Sequence, residues 1–198
     1  HTRLTDVTGV QTVLFRSAGL KMYLDQTYGP LCLEEMTVWM EHFARWPANR
    51  PIAIHAEGRS IAAAILLASF YERAVHICHV ARREEILLIR AAKQRGLAVT
   101  CEVTPHHLTL TDEEIGKSFD TNLRVNPPLR TGVDRDAVIE GLIDGTIDCI
   151  ATDHAPHPEE VKDCEFDKAA PGMIGLETSL GLVKTYLIDK GLLSWADA

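Results

Sequence analysis

Several features that would point to other functions are missing from this sequence. It has no excess of positive charge: 28 acidic residues stand against 20 basic ones, for a formal net charge of −8. No basic field is therefore available to hold a nucleic-acid backbone. Long apolar runs are missing too. The longest, Ile61 to Leu67 with its flanks, is interrupted by Ser69 and falls well short of the ~20 residues that span a bilayer. The five cysteines (Cys32, Cys78, Cys101, Cys149, Cys164) are scattered singly with no CxxC pair, which argues against a disulfide framework and for a reducing, cytoplasmic compartment. There is no GxGxxG or GxxxxGK[ST] turn to cradle a phosphate. No basic segment followed by an apolar one opens the chain, so its start does not read as a secretory signal.

What remains is a globular composition, 46% hydrophobic and 24% charged over 198 residues. From Gly19 onward, short β-branched apolar runs alternate with stretches whose apolar residues recur every three or four positions. The runs are GLKMYL (19–24), PIAIHAE (51–57), AVHICHV (74–80), LAVTCEV (97–103) and IDCIATDHA (147–155). The helical stretches are 33–46, 60–72, 83–95 and 134–145. This rhythm predicts an α/β fold, a parallel sheet covered by helices, with strands apolar almost throughout as when both faces are buried. Periodicity does not separate an open doubly wound sheet from a (β/α)8 TIM-like barrel, but the polar residues do. Lys21, His55, His79, Glu102 and Asp153 each fall in a strand or at its C-terminal end, as on the C-terminal face of a barrel; an open sheet concentrates its site at one switch point. Two Pro- and Gly-rich stretches, 121–132 and 156–175, flank strands on that face and have the length of functional loops.

Taken singly, His55 and His79 read as hydrogen-bonded core histidines. Asp153, beside Ile150 and Ala151, is expected to be buried, and an unpaired buried carboxylate is costly. Lys21 within GLKMYL poses the mirror problem. One arrangement accounts for all four: a metal site at the barrel mouth. His55, His79 and Asp153 are suitable Zn²⁺ ligands, and Lys21, converted by CO₂ to an anionic carbamate, could bridge two metals. Two divalent ions sharing a hydroxide give a nucleophile at neutral pH and polarise a carbonyl, which suggests hydrolysis or closure of an amide. Side chains alternate along a strand, so Cys78 and His79 cannot both face the lumen unless the strand end twists or bulges. Cys78 by itself reads as a plain buried thiol; a third metal joining Cys78 and Glu102 is the alternative.

The ordered set GLKMYL, HAE, HICHVARREEILLIRAAKQRGL, CEVTPHHL, NPPLR, ATDHAPH and PGMIGLET resembles dihydroorotase of the amidohydrolase superfamily, in particular the dihydroorotase domain of the animal multifunctional pyrimidine-synthesis protein and its bacterial relatives. The resemblance covers about Ala18 to Ala198. It implies the reversible cyclisation of N-carbamoyl-L-aspartate to L-dihydroorotate in pyrimidine synthesis. It further implies that Lys21 is the carbamylated bridging ligand and that His55 and His79 bind the second zinc. Asp153 would bind the first zinc and act as general base and acid. Cys78 and Glu102 match positions that, with His55, hold a third zinc in some relatives. Asn126, His157 and the backbone around Pro171 and Gly172 match substrate-gripping positions, and Thr27 and Tyr28 match a mobile loop that closes over the site. The implied partners are a small-molecule substrate, further copies of the chain and aspartate transcarbamoylase, with no nucleic acid or membrane.

The family's first strand carries a His-x-His metal pair followed by an arginine, and a later asparagine also contacts substrate. The only histidine before Lys21 is His1. The first zinc would then keep only Lys21 and Asp153, and the barrel would be incomplete, roughly strands 4–8, with an open apolar edge. Such a 198-residue chain is expected to be inactive and prone to aggregate. The segment TDVTGVQTVLFRS (5–17) resembles a translated sequencing-library adapter with a one-base slip. Residues 1–17 are accordingly expected to be non-native and 18–198 a partial barrel domain. Two other readings stay open: a dihydropyrimidinase- or allantoinase-like amidohydrolase, and a non-catalytic dihydroorotase-like subunit that scaffolds aspartate transcarbamoylase.

Overall fold

The computed structural model describes residues 17–198; the expectation for residues 1–17 thus falls, apart from Ser17, outside the described residues. Five strands form one parallel sheet: β1 (Leu20–Tyr23), β2 (Ile52–His55), β3 (Val75–Ile77), β4 (Val99–Val103) and β5 (Cys149–Ile150). Each strand is laid beside its predecessor and the order never reverses. That is the wall of a barrel, since a doubly wound sheet has a reversal where its site lies. Ile, Val and Met fill alternate strand positions, and these β-branched and long apolar side chains suit a pleated surface buried on one side.

The connections are helical. Helix α1 (Met36–Arg45) follows β1, α2 (Arg59–Tyr71) follows β2, α3 (Arg83–Gln94) follows β3 and α6 (Gly132–Ile143) precedes β5. All four lie within three residues of the expected stretches. Two short helices between β4 and α6, α4 (Pro105–Thr109) and α5 (Asp112–Ser118), were not expected. Both carry local start signals. Thr104 accepts from the His107 N–H with Pro105 in the first turn, and Thr111 with Glu114 forms a capping box. A seventh helix, α7 (Ser179–Val183), runs on into a π turn. Helices α3 and α6 pack closely at Gly141, where a Cβ would come within 3.0 Å of Ile86.

The core lies between the sheet and these helices. Met22, Ile54, Ile77 and Val103 from the strands meet Phe43, Ile61, Ala64, Ile86 and Ile89 from α1, α2 and α3, all essentially inaccessible to water. Burying each such Ile or Phe side chain stabilises the fold by about 1.5–3 kcal/mol before entropy is counted. The expectation that the strands are apolar on both faces is corrected here. The intervening residues Lys21, Tyr23, His55, His76, Cys78, Thr100 and Glu102 form a polar inner face, with Lys21 and Thr100 exposed. The sequence runs look continuous because Ala53 and the residues flanking each strand extend the apolar stretch. The last strand is shorter than the run 147–155 suggested. Only Cys149 and Ile150 pair with β4, opposite Glu102 and Val103, and the chain then leaves the sheet. Among the described residues no helix is long and apolar enough to cross a membrane.

Candidate metal centre

At the C-terminal ends of the strands a recess of about 180 Å³ is lined by most of the residues that the sequence singled out. Lys21 and Tyr23 come from β1, His55 ends β2, and His79 follows β3. Asp153 follows β5, and Thr27, Tyr28, Asn126, His157, Pro171 and Gly172 come from loops. Tyr23, Leu31 and Ala155 also line it without having been anticipated. Cys78 and Glu102 do not line this recess. They lie one step along the inner face.

The two imidazoles are buried, His55 at 2% and His79 at 3% exposure. His55 Nδ1 and His79 Nε2 face each other at 2.9 Å. Burial holds His55 down to about 4, and the Lys21 ammonium adds to that. His79 is lowered well below its ordinary value, first by burial and then by His55 and Lys21. Both rings are therefore neutral at pH 7, the state in which imidazole ligates a metal. With one proton per ring the pair cannot satisfy itself, and His55 Nε2 and His79 Nδ1 are buried with no hydrogen-bond partner among the described residues. The buried His107 is different: Thr104 Oγ1 lies 2.7 Å from its Nδ1, and its Nε2 donates to the Pro127 carbonyl at 3.0 Å. His107 is thus a satisfied structural histidine; the His55–His79 pair is not.

A backbone device brings His79 to the inner face. His79 adopts a left-handed conformation (φ 40°) just past β3, which breaks the alternation that would otherwise oppose it to Cys78. Asp153 is left-handed as well (φ 45°). Its side chain is exposed, as is that of Lys21, so the expectation that both are buried does not hold. Lys21 sits on a face that no helix covers among the described residues, and Asp153 lies beyond the short β5. The protein around the Asp153 carboxyl still raises it above the usual carboxylate range, with Glu102 adding to the rise and Lys21 opposing it. The charge of Lys21 reaches His55, His79, Cys78, Glu102 and Asp153 alike.

The second donor group differs in one member from the expected one. His76, Cys78 and Glu102 offer ligand atoms within 4.8 Å of one another. Strand register alone would give the expected set: Ile54 pairs with Ile77 and Ile77 with Cys101, so His55, Cys78 and Glu102 come level across β2, β3 and β4. The His55 ring turns toward His79, however, and His76 Nε2 meets Glu102 at 3.0 Å with Thr100 at 2.9 Å on its other nitrogen. Burial pushes the Cys78 thiol up to about 11, which makes it a poor nucleophile without a metal. His76 was legible only as an alternate strand position.

The loops are tied over the recess. Asn126 Nδ2 donates to the Gln26 carbonyl at 2.6 Å, next to Thr27 and Tyr28, and the Tyr28 ring meets the edge of His157 at 4.7 Å. His157 Nε2 lies 3.0 Å from the Pro171 carbonyl; a carbonyl only accepts, so that nitrogen carries the proton. Gly172 is required where two loops cross, because a Cβ there would lie 2.5 Å from the Ala155 carbonyl. A larger cavity of about 610 Å³ adjoins on the far side of Tyr28 and Asn126, away from the imidazoles.

Comparison with known proteins adds the following. The chain is 49% identical over 181 residues to the multifunctional protein CAD of Squalus acanthias, which covers 91% of this chain and 8% of that protein. It is 51% identical over 154 residues to a dihydroorotase of Leifsonia xyli, covering 78% of this chain and 34% of that enzyme. The chain thus spans about a third of the length of this bacterial relative. Among solved structures, the L-hydantoinase (dihydropyrimidinase) from Arthrobacter aurescens matches with a TM-score of 0.87 at 24% identity, over 98% of this chain and 51% of that one, a likeness of fold. No family model matches.

Proposed function

Because the chain belongs to the dihydroorotase family, half identical to its curated members, we propose that it carries the metal-binding and proton-transfer part of a dihydroorotase, which interconverts N-carbamoyl-L-aspartate and L-dihydroorotate in pyrimidine synthesis. The observation that carries the reading is the pair of neutral, buried imidazoles facing each other at 2.9 Å in a recess shared with Asp153 and Lys21. Two nitrogens held 2.0–2.1 Å from one tetrahedral ion would lie about 3.4 Å apart, so small ring shifts suffice. The residues fit zinc. His55 and His79 would hold one ion and Asp153 another, with Lys21 as a carbamate between them. As an ammonium ion Lys21 repels a dication; carbamylation by CO₂ reverses its sign. His76, Cys78 and Glu102 would hold a third ion. Metal held by His55, His79, Asp153 and Lys21 would supply a nucleophilic hydroxide at neutral pH and polarise the carbonyl under attack.

The chain's own residues do the rest. Asp153, with its raised carboxyl, takes a proton from the attacking water in the hydrolytic direction and returns it to the ring nitrogen. His157 already spends its Nε2 proton on Pro171, and that hydrogen bond fixes its ring at the edge of the recess. Asn126 must release Gln26 to reach substrate, which couples substrate binding to movement of the Thr27–Tyr28 loop. The working protein is read as cytoplasmic, a self-associating enzyme with aspartate transcarbamoylase as a further partner. The test is a chimera in which the aligned residues replace their counterpart in the Leifsonia xyli enzyme. It should cyclise N-carbamoyl-L-aspartate. Turnover of dihydrouracil or allantoin alone would overturn the proposal, and a folded chimera that binds no zinc would favour a scaffold role.

A further inference from the structure

Nothing in β2 or β3 fixes the separation of the two rings by itself. His55 is the last residue of its strand, and His79 lies two residues beyond its own in a left-handed conformation. Such a conformation is strained for a residue with a side chain and persists only where the surroundings over-determine it. Each histidine is followed at once by a turn into a helix, Ala56–Gly58 into α2 and Val80–Arg82 into α3.

Glu85 joins those two turns. As the third residue of α3 it accepts from the Arg82 N–H at 3.0 Å, which is the ordinary work of a capping box. The same oxygen also accepts from the Ala81 N–H at 3.0 Å. Its other oxygen accepts from the Gly58 N–H at 2.8 Å, in the turn after β2. Glu85 is 2% exposed as a residue, whereas its neighbour Glu84 has a side chain 69% exposed. Capping a helix calls for neither burial nor a donor from another turn. A buried carboxylate that takes three backbone N–H groups from two turns sets the distance between them, and Gly58 and Ala81 lie three and two residues past the histidines.

We propose that Glu85 is a positioning residue, holding the turns after β2 and β3 at the spacing that lets His55 and His79 share a metal ion. This rests on the reading that the two rings do share one.

Titrating the 198-residue chain with Zn²⁺ while following the imidazole ¹⁵N resonances of each histidine separates the two claims. In the unsubstituted chain His55 Nδ1 and His79 Nε2 should respond together to one ion; if they do not, the shared-metal reading fails and takes this inference with it. Given that response, Glu85→Gln puts an NH₂ group against a backbone N–H and should weaken zinc binding at the pair by about tenfold or more. Glu85→Asp is one methylene shorter: it can still cap α3 but cannot span to Gly58. It should show the weakened binding with a smaller fall in Tm, and it carries the test if the Gln variant does not fold. Unchanged zinc affinity in a folded Asp or Gln variant would overturn the proposal whatever its Tm, because a purely structural role moves Tm alone. In the unsubstituted chain the Gly58 amide should resist hydrogen exchange as well as the Ala81 amide does; a freely exchanging Gly58 would overturn it too.

Discussion

On the outer face of the sheet Met22, Ile52, Ile54, Val75, Ile77, Val99, Cys101 and Val103 are at most 4% exposed, while on the inner face the residues between them are Lys21, Tyr23, His55, His76, Cys78, Thr100 and Glu102. The same strands supply both sets. The outer side chains have helices to pack against, and the Cys101 thiol donates to the Thr146 carbonyl at 3.4 Å; the inner ones have donors and acceptors in abundance and, at Lys21 and Thr100, lie exposed. Stability and chemistry therefore sit on alternate residues of one backbone, and substitution should separate them.

The largest separation is expected at the mouth of the recess. Asp153→Asn in the active chimera should lower turnover by about 10²–10⁴-fold with little change in Tm, since the side chain is exposed; an active Asn variant would remove Asp153 from the proton path. On the outer face the reverse is expected. Ile54→Ala leaves a cavity in a fully buried site and should cost about 2–5 kcal/mol in urea unfolding, while the His55 and His79 resonances of the folded fraction still respond to Zn²⁺.

Acid should attack the inner face. The folded-state value of His55, about 4, lies below the ordinary 6.5, so its contribution is fully present above about pH 6.5 and is lost as pH falls toward 4. For His55 alone that is on the order of 3 kcal/mol in the metal-free chain. The buried His107, also lowered to about 4, steepens the same window. Unfolding measured against pH should therefore be flatter in His55→Gln, and an unchanged slope would show that His55 is not buried neutral. The smallest effect belongs to Thr100→Val. Its hydroxyl meets His76 on an exposed part of the inner face, so a loss above about 1 kcal/mol would mean that face is packed rather than open.

Much of this is legible in the sequence. The alternation of β-branched runs with three- and four-residue periodicity gave five strands and four helices nearly in place. The short helices α4 and α5 were missed although Thr104-Pro105 and Thr111 with Glu114 announce them, because five- and seven-residue helices are too short to show a period. Lys21 and Asp153 were misjudged as buried: an apolar neighbourhood in sequence says how a residue's neighbours pack and is silent on which face its own side chain takes.

The sequence by itself determined the order of strands and helices and the placing of titratable residues at strand ends, because hydrophobic periodicity is a property of consecutive residues. Tertiary structure alone decided that His76 rather than His55 stands with Cys78 and Glu102, that His79 turns inward through a left-handed backbone, and that Glu85 spans two turns. Those outcomes depend on which way a ring turns between neighbouring strands and on where separate loops meet in space, and neither is encoded in any local window of the chain.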